Sequence, residues 1–174
     1  MRFRTFIILA CLAPESALAV GEGESSLSAG AGGAVLFQGQ SRAGVAAEFR
    51  LLHGLSDAWS ARLGLQAAVA PSSQGHSATL FSQAAGVTWA YDVVNWVPFA
   101  DLGLVVADVR GGGHAGSQRL GGQAGAGIDC LLSRHLVASF LGRVDYYPVR
   151  LAGADVPRPV QLTFVLHVGR TFSP

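Results

Sequence analysis

Seven charged residues, Glu48, Arg50, Arg62, Asp101, Asp129, Arg143 and Asp145, lie in stretches of this chain where polar or tiny residues alternate with apolar ones. Successive side chains of an extended strand point to opposite faces. Each charge therefore shares a face with residues such as Gln66 and Gln123, opposite an apolar face. Three arginines against four carboxylates are close to balance, and their chemistry is ion pairing. Catalysis would need a nucleophile and a base brought together. His167 shares its face with Thr163 and Thr171, the company of a hydrogen-bonded residue rather than of a general base. No paired cysteines, HExxH or other metal-ligand spacing occurs, so no metal or cofactor is expected. Gly111-Gly112-Gly113-His114 has no helix after it and reads as a surface tip, not a phosphate cradle.

The elements that carry these residues are strands. Trp59 to Val69 is the clearest: Trp59, Ala61, Leu63, Leu65, Ala67 and Val69 alternate with Ser60, Arg62, Gly64, Gln66 and Ala68. Eight such stretches are predicted, at about 26–38, 43–53, 58–70, 78–91, 97–108, 118–132, 135–147 and 160–172. Each suits a tilted crossing of a bilayer. The connections after the second, fourth and sixth stretches are short (Gly54 to Asp57, Asp92 to Trp96, Ser133-Arg134). Those after the third, fifth and seventh are longer: Pro71 to Ser77, Val109 to Ser117 and Pro148 to Pro159. Gly39 to Arg42, after the first, is brief.

Half of the 174 residues are hydrophobic, mean hydropathy is +0.39 and 13% are charged. Past the first two dozen residues, no run nears the roughly 18–20 apolar residues of a spanning helix. A β-barrel reconciles the two, because alternate positions face lipid. The placement of 23 glycines inside alternating stretches suits a narrow interior.

Residues 1–19 read as a signal peptide, with Arg2 and Arg4, an apolar core from Phe6 to Ala13, and the cleavage pattern Ala17-Leu18-Ala19. Residues 20–174 then form one barrel domain. Cleavage removes two of 12 basic and one of 11 acidic residues, leaving 10 of each. With no basic excess, nucleic acid is not an expected partner. Lipoprotein processing at Cys11 is a competing reading, weakened by the short apolar stretch before it. Without Cys11, Cys130 stands alone and forms no intrachain disulfide.

Trp59, Trp89, Tyr91, Trp96, Phe99, Tyr146 and Phe172 lie near strand ends. Amphipathic rings favour the headgroup layer, so Trp59, Trp89, Tyr91, Trp96 and Phe172 in particular are read as an interfacial girdle. Core aromatics of a soluble sandwich are the alternative.

The chain resembles the small eight-stranded bacterial outer-membrane barrels, the OmpA-like and OmpX-like group. Three patterns carry the resemblance: Tyr91-Asp92 through Trp96-Val97-Pro98-Phe99 into Asp101-Leu102-Gly103-Leu104; Gly125-Ala126-Gly127-Ile128-Asp129 followed by Leu132-Ser133-Arg134-His135; and a closing strand ending in Phe172. Leu162, Phe164, Leu166, Val168 and Phe172 are similar to the group's assembly signal, while Arg170, Ser173 and Pro174 depart from it. The resemblance implies an all-β fold, an eight-stranded antiparallel up-and-down transmembrane barrel behind a signal peptide. It further implies a monomer in the bacterial outer membrane, with membrane lipids and the barrel-assembly machinery as partners. The lumen would be plugged by an ion-pair network of Glu48, Arg50, Arg62, Asp101, Asp129, Arg143 and Asp145, since eight strands leave no open channel. The role would be structural or interactive, with the longer loops meeting a surface ligand. Two alternatives stay open. A soluble, exported, lipocalin-like carrier would turn the apolar face inward. A lipid A-modifying enzyme is the other; the deacylase type carries a His-X-Ser pair, which follows none of His53, His76, His114, His135 or His167.

Overall fold

The computed structural model describes residues 20–38, 40–71, 77–91, 96–111, 114–153 and 159–173. Eight strands run β1 (Ser25–Gln38), β2 (Gln40–Gly54), β3 (Trp59–Ala70), β4 (Ala78–Ala90), β5 (Trp96–Gly111), β6 (His114–Ser133), β7 (Leu136–Gly153) and β8 (Val160–Phe172). Each pairs antiparallel with the next, and β1 pairs with β8, closing the barrel. Closure removes every exposed sheet edge.

The register fixes the shape. The row of partners leaving β1 at Ser26 passes Leu52, Arg62, Gly86, Gly103, Gln123, Asp145 and Gln161, then returns to β1 at Leu36, ten residues along (36 − 26). Eight strands with that stagger tilt by about 40° and enclose a cylinder of about 8 Å backbone radius, a space that side chains fill.

Which face lies inside is now settled. Leu63 and Leu65 are 57% and 49% exposed, whereas Arg62 and Gln66 are 1% and 3% exposed. The same order holds round the barrel: outward Phe49, Leu102, Leu104, Phe164 and Leu166 are exposed, and inward Glu48, Arg50, Asp101 and Thr163 are buried. A soluble carrier of the lipocalin kind needs the reverse arrangement, so the lipocalin-like alternative is overturned.

Strands β5, β6 and β7 run further than their alternation suggested. Residues 109–111 and 114–117, expected in a loop, are strand, and so are residues 148–153. Register shifts between Gln118 and Arg119 and between Leu120 and Gly122 put extra residues into β7. Such bulges break the period of two. Most of the connections expected at Pro71 to Ser77 and Asp92 to Trp96, and residues 154–158, lie outside the described residues.

Candidate functional site

The lumen is the chemically loaded part of the molecule. Neighbouring strands share inward parity, so the register stacks their polar residues in the middle of the barrel. Arg143, on β7, is the hub. Its guanidinium donates to Glu48 Oε1 at 2.8 Å and to Gln66 Oε1 at 2.7 Å. Its Nε lies 3.1 Å from Asp145 Oδ1, within ion-pair distance but out of hydrogen-bond alignment. His167 Nε2 approaches Glu48 Oε2 at 3.8 Å from the other side. Gln66 extends the network by donating to Thr163 Oγ1 at 3.2 Å, and Ser82 donates to Gln66 at 3.4 Å.

Nearer the terminal end, where β1 begins and β8 finishes, Arg62 Nε sits 3.6 Å from Asp101 Oδ1, and Thr88 donates to that same oxygen at 2.7 Å. Gln123, with its amide oxygen turned inward, accepts from the Arg62 guanidinium. Arg50 lies over the ring of Phe99, 4.8 Å from its centroid. Asp129 faces its register partner Ser139. The structure thus places all seven charges read from the sequence inside the barrel and buried. It joins Glu48, Arg143 and Asp145 in one group and Arg62 with Asp101 in another. Small residues make the room: a Cβ on Gly30 would run into the His167 ring, and one on Gly103 would press on Arg62.

Several inward residues were missed, among them Ser82, Thr88, Gln161 and two larger side chains. Arg119 is buried on β6 and Tyr147 on β7. Both were legible by parity, since Arg119 matches Gln123 and Asp129, and Tyr147 matches Arg143 and Asp145. With Arg119 the described buried charges balance at four arginines and four carboxylates. Phe99 is a correction. It points inward instead of toward the interface, and its ring fills the space beside Gly127.

Apolar clusters close the polar middle at both ends. Val97, Leu131 and Val137 pack at the terminal end. Leu36, Leu80, Val105, Ala107 and Tyr147 pack at the opposite end. Metal-binding groups of three or more acidic, His or Cys residues are absent among the described residues.

The outer surface is a belt. On β7 the outward positions Leu136, Ala138, Phe140, Gly142, Val144 and Tyr146 carry no polar group apart from the terminal phenol. At the tilt above, each residue advances about 2.5 Å along the axis, so the stretch from Leu136 to Tyr146 spans about 25 Å, the height of a bilayer-facing apolar band. Trp59, Trp89, Tyr91, Trp96 and Phe172 are exposed, and all sit at the terminal end. Trp59 and Trp89 are register partners, and Trp89 stacks with Tyr91 at 6.1 Å. Phe37, Phe81 and Tyr146 are exposed toward the opposite end. Arg170, which interrupts the closing strand, lies 5.5 Å from the Phe172 ring.

One exposed serine–histidine contact is present at the terminal end, where Ser25 Oγ and His53 Nδ1 are 3.0 Å apart. Among the described residues no carboxylate forms an ion pair with His53.

A closed, eight-stranded barrel with charge inside and an apolar belt outside has the fold of the small outer-membrane β-barrels. Solved structures agree. The chain is similar to Neisserial surface protein A (TM-score 0.67, 19% identity, 87% of this chain and 100% of that one). It is similar to Ail, the attachment invasion locus protein of Yersinia pestis (TM-score 0.61, 14% identity, 87% and 99%). It also matches the outer-membrane enzyme PagL (TM-score 0.53, 16% identity, 83% and 97%). At these identities the likeness establishes the fold alone. No family model and no curated protein matches the chain.

Proposed function

We propose that the protein is exported by residues 1–19 and spans the bacterial outer membrane as a monomeric, non-enzymatic barrel with a structural or surface-interaction role. The observation that carries this reading is the belt. On β4 between Trp89 and Phe81, Gln83 is the one polar side chain that points outward. In water such a surface would aggregate, since soluble monomers rarely expose apolar patches beyond a few hundred Å². In a bilayer it is simply solvated. The five aromatics at the terminal end would form the periplasmic girdle, and Phe37, Phe81 and Tyr146 the outer one.

The lumen then serves stability rather than transport. Arg143 pairs with Glu48 and Asp145, Arg62 pairs with Asp101, and apolar packing lies above and below them. The outer ends of β5, β6 and β7 would stand above the membrane as the interaction surface. Asp108 and Arg110 pair there at 2.6 Å, and Val149 and Leu151 are exposed. PagL proves that the fold can carry an enzyme. Among the described residues the Ser25–His53 contact has no third group that would orient a base, so the non-enzymatic reading is the better supported.

Fractionation followed by gel electrophoresis with and without boiling tests the proposal. The expected result is a heat-modifiable band in the outer membrane, inert in planar-bilayer conductance. A soluble periplasmic protein would refute the membrane assignment, and an altered lipid A acyl pattern on expression would refute the non-enzymatic one.

A further inference from the structure

Seven of the eight strand pairs are joined by the chain itself. β1 and β8 are not, and they meet only through a ladder running from Ser25 opposite Phe172 to Phe37 opposite Val160. Just beyond the first rung, side chains extend that ladder. Ser173 Oγ donates to Glu24 Oε1 at 2.6 Å, and the Gly21 N–H donates to Glu24 Oε2 at 3.0 Å. One carboxylate thus grips both the segment that leads into the first strand and the residue that follows the last.

The segment holding Glu24 is fixed in turn. Gly23 N–H donates to the Gly54 carbonyl at 3.0 Å, Gly54 N–H donates to the Glu24 carbonyl at 2.9 Å, and Glu24 N–H donates to the Gly21 carbonyl at 3.0 Å. Gly54 is needed there, because a Cβ would collide with the Gly21 carbonyl oxygen. Gly23 adopts φ +77°, a conformation that suits glycine. Arg134, in the turn between β6 and β7, adds positive charge near the carboxylate.

We propose that this clasp is completed by proteolytic processing between Ala19 and Val20, which frees an α-ammonium on Val20 to pair with Glu24 and so lock the first strand to the last. The inference rests on the export reading above. Hydrolysis of the Ala19–Val20 peptide bond by a signal peptidase consumes one water. It leaves a carboxylate on the released segment and an amine on Val20, which takes up a proton at neutral pH. Val20 and Gly21 are consecutive, with Cα atoms about 3.8 Å apart. The new charge therefore forms beside the Gly21 N–H that Glu24 already accepts from. A charge-assisted bond is roughly twice as strong as a neutral one, so processing tightens the one seam that no turn covers. It also gives Ser173 a specific part in closure.

The experiment combines intact mass with urea-unfolding rates of the barrel in phosphatidylcholine vesicles. Protein isolated from outer membranes is expected to have the mass of residues 20–174. Glu24→Gln should unfold about five- to tenfold faster and Ser173→Ala about threefold faster, with the double variant no faster than Glu24→Gln alone. A refolded chain that retains Ala17 to Ala19 should unfold faster than the mature one, and Glu24→Gln should cost it less. A mature chain beginning at Val20 whose Glu24→Gln variant unfolds at the wild-type rate overturns the clasp and leaves export standing. So does equal loss from Glu24→Gln with and without the three extra residues, since the ammonium would then add nothing. An unprocessed chain overturns the export reading itself.

Discussion

Arg143→Gln is the sharpest test of the lumen. The substitution keeps a polar side chain but removes the charge that touches Glu48, Gln66 and Asp145 together. Glu48 and Asp145 would then share a buried space with no cation between them. Breaking a buried pair by removing one partner costs about 3–5 kcal/mol, because the other charge stays desolvated. A barrel of this size holds on the order of 5–15 kcal/mol, so the loss is large and measurable. Equilibrium urea unfolding in lipid vesicles, followed by the fluorescence of the three tryptophans, gives the difference directly. Arg170→Gln is the internal control: that side chain is exposed beside Phe172, and its removal should cost under about 1 kcal/mol. Adding Glu48→Gln to Arg143→Gln should recover part of the loss by removing the orphaned carboxylate. If Arg143→Gln costs no more than Arg170→Gln, the network does not hold the barrel together and the sealed-lumen reasoning fails.

Three further outcomes follow from the same geometry. Leu104→Arg, at a position 67% exposed, should cost about 2–4 kcal/mol in vesicles; a change within about 0.5 kcal/mol is what a water-facing surface would give, and finding it would argue against the belt. Gly127→Ala places a methyl against the Phe99 ring and the Phe140 carbonyl oxygen, so a loss of about 1–3 kcal/mol is expected, partly restored by Phe99→Leu; unchanged unfolding would mean that the ring lies elsewhere. Hydrogen bonds from Ser173 and the Gly21 N–H hold the Glu24 carboxyl below its ordinary value of 4.5. Its contribution is therefore complete above pH 4.5 and is lost as pH falls through the lower folded value. Unfolding rates measured from pH 7 to pH 3 should show wild type and Glu24→Gln converging only in that acid range.

The sequence was most readable where the two faces of a strand meet different surroundings. In β3 every even residue is inside and every odd one outside, so Arg62 and Leu63 announce themselves. Alternation by itself could not say which face was in; that needed the closed register. The outer end of β7 was misread as a loop for the same physical reason. From Pro148 to Gly153 every β7 residue is exposed. With both faces wet, no selection for parity remains to be seen. The bulges beside Gly122 and Arg119 then shift the period just where it is already faint.

Phe99 shows the opposite limit. An aromatic three residues into a strand, next to Trp96 and Pro98, has the local look of a girdle residue, yet its parity is that of Asp101, and parity decides. The ring is tolerated inside because Gly127 faces it from β6 and Arg50 covers it from across the lumen. Neither neighbour is visible from β5 alone, since one lies 28 residues later (127 − 99) and the other 49 earlier (99 − 50). Lumen contents in such a narrow cylinder are set by the volumes of residues remote in sequence. A reading made strand by strand can therefore recover faces and charges, but it places a bulky inward side chain only once the stagger of the closed barrel is known.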